Sequence, residues 1–498
     1  MTRKEWLFFG LACCLKLGLF ILIHVGHAGK LAPGALVAVW GGDTFSYLDP
    51  VENLLRHGTY AQDLTRLETY AGRMPGYAVV YGPLRLVLGP GGAADSTVVL
   101  QLLLSLASLY CLGRLAQAAT RRPAAFQWTV LLYAANTFTT VLDIRLLTES
   151  FAISALILGI YAFWRAQQHP SRAGWLLLVG SWLAWAIFLR PFLGPLLFGL
   201  AGWYWARAWF VVRHQPLPDV RRYVLRGALL VLPFLIADGA WMLRNWPWYQ
   251  RLVPLQSNTW AGYKNPPALL ELNDFMGAIG EEHAFWNAGT DMAWFYQPEA
   301  EAAPNFRGQA SKLAPPAYTY DSLVLVRHHL AVAQDSTQPP AIRRTAETRA
   351  KRALVAYKQE FQRQRPLWAF LMVPFKLAYG LILAHPSDYL FRQPFAELPP
   401  PLKALKILVH LWYLLLVAVG MLGTFMVGWR ADFAALVVKA IPCYLISLFC
   451  LVIHLVDARY FAIGYPFIII GAVNLALAGL EFGQRKGWIL SRKAAIHT

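Results

Sequence analysis

The sequence predicts an all-α polytopic membrane protein, and three observations predict it. Of 498 residues, 57% are apolar and only 14% charged, whereas soluble domains carry about a quarter charged residues. Apolar runs of about twenty residues recur, the length that spans hydrocarbon as a helix. Basic residues gather beside the ends of those runs rather than over one surface. Backbone inside a bilayer has no water to bond, so each run must satisfy its own polar groups as a helix.

Ten crossings are expected, near 6–28, 98–119, 124–142, 146–165, 173–189, 192–212, 225–243, 404–428, 433–454 and 460–480. The first is long for a secretory h-region, contains Lys16 and lacks a small-residue cleavage site after it, so it reads as an anchor. Cys13, Cys14, Cys111, Cys443 and Cys450 all fall inside apolar runs, which suggests neither a disulfide set nor metal spacing.

The net charge of +18 is distributed as topogenic charge and not as a nucleic-acid stripe. Arg3 and Lys4, Arg121 and Arg122, Arg165 and Arg172, the run Arg207 to Arg226, Arg430, and Arg485 to Lys493 fall at alternate span ends. Both termini are then cytoplasmic. An even number of crossings follows, which makes 366–384 an interfacial or re-entrant helix on the outer face; Pro374 and Lys376 interrupt it.

Three regions result. Residues 1–243 form an N-terminal membrane module with a first outer loop at 29–97. Residues 244–403 form a mainly helical outer domain containing 366–384. Residues 404–498 supply the last helices and a basic tail. In the first loop, Leu48, Val51, Leu54 and Leu55 recur with helical spacing, as in a helix lying along the membrane surface. The second outer segment opens with Trp246, Trp248, Trp260 and Tyr263, residues that gather at any membrane interface and also stack on sugars.

Arg145, Arg190, Arg244 and Arg459 break the pattern by lying at outer span ends, accompanied by Asp43, Asp143, Glu149 and Asp457. Each arginine alone could snorkel to headgroups or close an ion pair. Together they suit a phosphorylated, lipid-borne substrate, because the guanidinium fork grips phosphate oxygens bidentately and keeps its charge.

Four segments carry a family resemblance: GDTFSYLDPVENLLRHGTY with RMPGYAVVYGPLRL, LLTES at 146–150, Arg244-Asn245 with the following RLVPLQSNTWAGYKNPP, and DARYFAIGYPF at 457–467. In this order they resemble the GT-C superfamily, in particular bacterial relatives of protein O-mannosyltransferases and of the lipid A aminoarabinose transferase. The resemblance implies a GT-C fold and transfer of one sugar from a polyprenyl-phosphate donor to a lipid, glycan or protein acceptor. The site would face outward from a bacterial inner membrane.

It also implies roles. Asp43 matches the first-loop acid that takes the acceptor proton, a task for which burial can raise a carboxyl pKa; it is equally placed to cap the surface helix. Arg459, Arg244 and Tyr460 would hold the donor phosphate. Arg73, Tyr77, Tyr47, Glu149 and Asn245 fall on the acceptor or sugar side, with Arg145, Arg190, Lys264 and His454 as further candidates. Gly76 reads as a turn residue after Pro75. Several relatives have a second acid beside the first, whereas Thr44 and Phe45 follow Asp43 here. A hard cation usually needs more than one carboxylate, so no metal or other cofactor is expected. Inversion through single displacement fits one base, and a monomer is the default. The competing class is a transporter or flippase of a lipid-linked sugar, but the sequence shows no repeated half.

Overall fold

A computed structural model describes residues 2–212, 217–256, 266–281, 292–296, 319–383, 390–391, 393–426 and 433–485. Lys264, Trp260, Tyr263 and most of the basic tail lie outside the described residues. The helices are α1 (Arg3–His27), α2 (Thr44–His57), α3 (Ala78–Thr120), α4 (Pro123–Ala134), α5 (Thr137–Asp143), α6 (Thr148–Gln168), α7 (Gly174–Leu189), α8 (Gly194–Val212) and α9 (Leu217–Tyr249). They continue with α10 (Leu269–Ile279), α11 (Tyr320–Gln334), α12 (Pro340–Gln364), α13 (Val373–Leu383), α14 (Pro400–Met426), α15 (Phe433–Ser447), α16 (Ala458–Ala462) and α17 (Tyr465–Arg485). Among the described residues the only β pairing is two isolated bridges, Leu31 with Val39 and Val39 with Arg145.

Seven helices among the described residues are long and apolar enough to cross a membrane, against ten expected runs. The differences have local causes. The run 124–142 is two helices, because Asn136 turns its side chain onto the amide of Thr139 at 2.8 Å and restarts the chain as α5. The run 173–189 is a helix of only 16 residues. The run 98–119 is the later part of α3, which bends at Gly89 (φ +72°) followed by Pro90, a residue with no N–H to continue the ladder.

The chain divides into two compact units. The first comprises 1–262, 385–443 and 459–498. Its central helix is α6, 78% buried over its most apolar window, whereas α1 is 22% buried and turns Trp6, Leu7, Leu11, Leu22 and Val25 outward. Helices α14 and α17 meet through glycine. A Cβ on Gly423 would lie 2.0 Å from the carbonyl oxygen of Gly471, and one on Gly471 would lie 2.2 Å from that of Gly420. Small residues let membrane helices approach this closely.

Three backbone contacts fix the first loop within this unit. The Asp95 carboxylate of α3 accepts the amides of Leu36, Val37 and Ala38 at 2.8–2.9 Å. Val39 then exchanges hydrogen bonds with Ile144 and Leu146 in the turn between α5 and α6. Gly76 packs so closely on the end of α7 that an added Cβ would stand 2.4 Å from the carbonyl oxygen of Phe188. Its glycine is therefore required by a close approach, a stronger reason than the turn expected from Pro75.

The second unit comprises 263–384 and 444–458. Phe275, Met276, Leu330, Leu354 and Phe361 form its core. Lys358 pairs with Asp274 at 2.9 Å and Lys376 with Glu281 at 3.2 Å. The segment 366–384 is no straight continuation of the basic helix: Pro340–Gln364 and Trp368–Leu383 meet at 100°. Phe370, Leu371, Phe375 and Tyr379 stand exposed along the second arm.

Candidate active site

The candidate site lies within the first unit, where the stitched loop presents Asp43 beside the start of α6. Asp43 occupies the N-cap position of α2 at φ −93° and ψ 0°, and its side chain makes no capping hydrogen bond. The local turn is held by Thr44 instead, whose hydroxyl accepts from Gly41 N at 2.8 Å and donates to the Leu146 carbonyl at 3.1 Å. The Asp43 carboxylate is therefore free to face another element. It accepts from Arg459 Nη1 of α16 at 2.7 Å, with 38% of the aspartate side chain and 18% of the arginine exposed.

Arg459 is shared. Its Nε stands 3.7 Å from Glu149 Oε1, and the same oxygen receives Arg190 Nη2 at 2.5 Å. Glu149 is fully buried and Arg190 nearly so. The guanidinium of Arg190 also lies over the Tyr460 ring at 5.1 Å. On the other side Arg73 donates to Ser46 Oγ at 3.1 Å and lies over the Tyr47 ring at 4.6 Å. Three arginines thus surround two carboxylates, leaving one positive charge in surplus among these five groups.

Burial of Asp43 favours the protonated form, but the charge and hydrogen bond of Arg459, with the charges of Arg73 and Arg190, outweigh it and hold the carboxyl below its ordinary 3.8. The raised carboxyl expected from burial is thus corrected: in this arrangement Asp43 is ionised and paired. Among the described residues, the buried atoms Tyr47 Oη, Glu149 Oε2 and Arg190 Nε meet no hydrogen-bond partner.

Other expected residues stand differently. Arg244 spends its fork on the carbonyls of Tyr60 and Tyr70, with Nη1 also 2.8 Å from Asn245 Oδ1. It clasps the first loop, and Asn245, fully buried, supports that clasp. The Tyr77 hydroxyl is held by Gln101 Oε1 at 3.2 Å. The backbone of Arg145 bridges Val39, and its carbonyl receives Gln101 Nε2 at 2.9 Å. His454 belongs to the second unit, packed against Gly277. Lys264 is not described. Asp143, grouped with the outer acids from sequence, pairs instead with Lys16 at 2.9 Å in full burial.

Sequence reading missed Gln101, Asp95 and the Lys16–Asp143 pair. A polar residue within an otherwise apolar run was the available signal for Lys16 and Gln101, since such residues need a partner at membrane depth.

Residues 68–258 match the profile of the Alg9-like mannosyltransferase family. The match takes in Arg73, Tyr77, Glu149, Arg190 and Arg244, while Asp43 and Arg459 lie outside it. No curated protein matches the sequence. Among solved structures, the archaeal oligosaccharyltransferase AglB from Archaeoglobus fulgidus, in complex with an inhibitory peptide and a dolichol-phosphate, aligns at TM-score 0.42 and 11% identity. That alignment covers 96% of this chain and 52% of AglB, so the chain spans about half the length of that enzyme. Apo ArnT from Cupriavidus metallidurans aligns at TM-score 0.33 and 14% identity over 99% of this chain and 81% of its own. ArnT bound to undecaprenyl phosphate gives 0.28 and 14% over 98% and 82%.

The apolar helices define a multi-pass, all-helical membrane protein among the described residues. Over 68–258 the chain is similar to the Alg9-like mannosyltransferases in particular.

Proposed function

We propose that the chain moves one sugar from a polyprenyl-phosphate donor to an acceptor hydroxyl at the outer face of a bacterial inner membrane, with Asp43 as general base. The pairing of Asp43 with Arg459 carries this reading: a base candidate and a phosphate-binding cation touch at 2.7 Å, with a surplus arginine beside them.

The acceptor oxygen attacks the anomeric carbon while its proton passes to Asp43. The bond from that carbon to the phosphate oxygen breaks, and polyprenyl phosphate leaves with the electron pair. Single displacement inverts the anomeric centre. Arginines stabilise the charge that develops on the leaving phosphate. The donor phosphate competes with Asp43 for Arg459. Once Arg459 turns to phosphate, burial acts on Asp43 with less opposition, and the carboxylate becomes a stronger base.

Reconstitution in liposomes with a polyprenyl-phosphate sugar and host membrane extract as acceptor source tests the reading. Asp43→Asn is expected to abolish transfer while leaving donor binding intact. Transfer at the wild-type rate would overturn the base role. Movement of the donor between leaflets without transfer would favour a flippase. A C-terminal reporter fusion active on the outer side would overturn the cytoplasmic placement of both termini and the outward-facing site with it.

A further inference from the structure

Lys16 sits within α1 with no exposed surface. Its Nζ meets Asp143 Oδ2 at 2.9 Å and Thr140 Oγ1 at 3.2 Å, and lies 5.3 Å from the centre of the Tyr133 ring. The other oxygen of Asp143 accepts Ser150 Oγ at 2.5 Å. Asp143 ends α5 and Ser150 stands in the first turn of α6, so this hydrogen bond closes the turn between the two helices. Gln101 of α3 holds the same turn by the carbonyls of Asp143 and Arg145, both at 2.9 Å.

Glu149 directly precedes Ser150. Among the described residues its carboxylate meets only Arg190 and Arg459, which arrive from the end of α7 and from α16. No cap or neighbouring hydroxyl positions it. Where Glu149 stands is therefore set by where the first turn of α6 stands, and Ser150, Asp143 and Lys16 tie that turn to α1.

We propose that Ser150 and Asp143, with Lys16 as counter-ion, are positioning residues that hold Glu149 in register with Arg459. The inference rests on the reading of the Asp43 site given above. With the tie intact, Glu149 shares Arg459 with Asp43 and keeps the guanidinium between them, ready for phosphate. Without it, Glu149 withdraws and Arg459 closes further on Asp43. A pair that served only to neutralise Lys16 would have no use for the Ser150 hydroxyl.

The test is titration of the purified full chain in nanodiscs with undecaprenyl phosphate as the probe, repeated across pH, beside thermal melting. Ser150→Ala removes one hydroxyl and keeps the helix. It is expected to weaken undecaprenyl phosphate binding about tenfold, the scale of one lost hydrogen bond, to alter its pH dependence, and to leave melting nearly unchanged. Ser150→Thr is expected to restore binding. Ser150→Ala binding as tightly as wild type overturns the proposal, and so does a Ser150→Thr variant that fails to recover. Arg459→Ala is measured alongside. If it binds as wild type, the site reading itself fails; if it loses binding while Ser150→Ala does not, only the positioning inference fails.

Discussion

The Asp43 carboxylate and the Arg459 guanidinium meet at 2.7 Å across 416 positions of sequence. The contact joins the first loop to the short helix that opens the last part of the chain. It gives Asp43 a partner outside the helix that it begins, and so separates its role from capping.

The pair fixes a pH dependence. The Asp43 carboxyl is depressed below 3.8, so the group is ionised throughout the neutral range. The stability it contributes is fully present above its unfolded value and is lost as pH falls through the lower folded value. The acid limb of kcat/KM should accordingly lie below the ordinary carboxylate range. Arg459→Ala removes the largest opposing influence and leaves burial, so the limb should move upward. A pH profile with an unmoved acid limb in that variant would show that Asp43 is not the titrating group.

The Tyr47 hydroxyl is buried and meets no partner among the described residues, while its ring contacts Arg73 and Tyr77. Tyr47→Phe keeps the ring and removes an unsatisfied group, so melting should be unchanged or slightly higher. Transfer should fall about tenfold if the hydroxyl donates to the substrate, the loss of one hydrogen bond at roughly 1.4 kcal/mol. Unchanged kinetics would assign Tyr47 to packing alone.

Gly423→Ala tests the contact between α14 and α17. The new Cβ would stand 2.0 Å from the carbonyl oxygen of Gly471, and overpacking of this kind costs about 1–3 kcal/mol. The variant should melt lower, and activity should fall with it, because α17 follows directly on the segment that carries Arg459. Gly10→Ala in α1, where nothing lies within 4 Å of an added Cβ, is the matched control and should behave as wild type.

The sequence by itself determined the helical membrane class, most of the helices and the candidates Asp43, Glu149, Arg190 and Arg459. Hydrocarbon imposes a length and a composition on each crossing, and charge at membrane depth is too costly to be placed idly. It did not determine where a helix breaks. Asn136 splits an apolar run through one hydrogen bond, and Gly89 bends α3 ahead of its apolar run through one backbone angle, signals too small to register in a reading of twenty-residue runs.

Tertiary structure alone decided which charges meet. Asp143 and Glu149 lie six positions apart and look alike in sequence, yet one pairs with Lys16 and the other with Arg190 and Arg459. Arg459 and, after it, Arg244 are the sequence's candidates for phosphate, yet Arg244 is committed to loop carbonyls. An ion pair forms between groups that packing brings within about 4 Å, and here packing is set by backbone stitches such as Asp95 to 36–38 and Val39 to the α5–α6 turn. Those contacts join residues tens to hundreds of positions apart, and no local pattern encodes them.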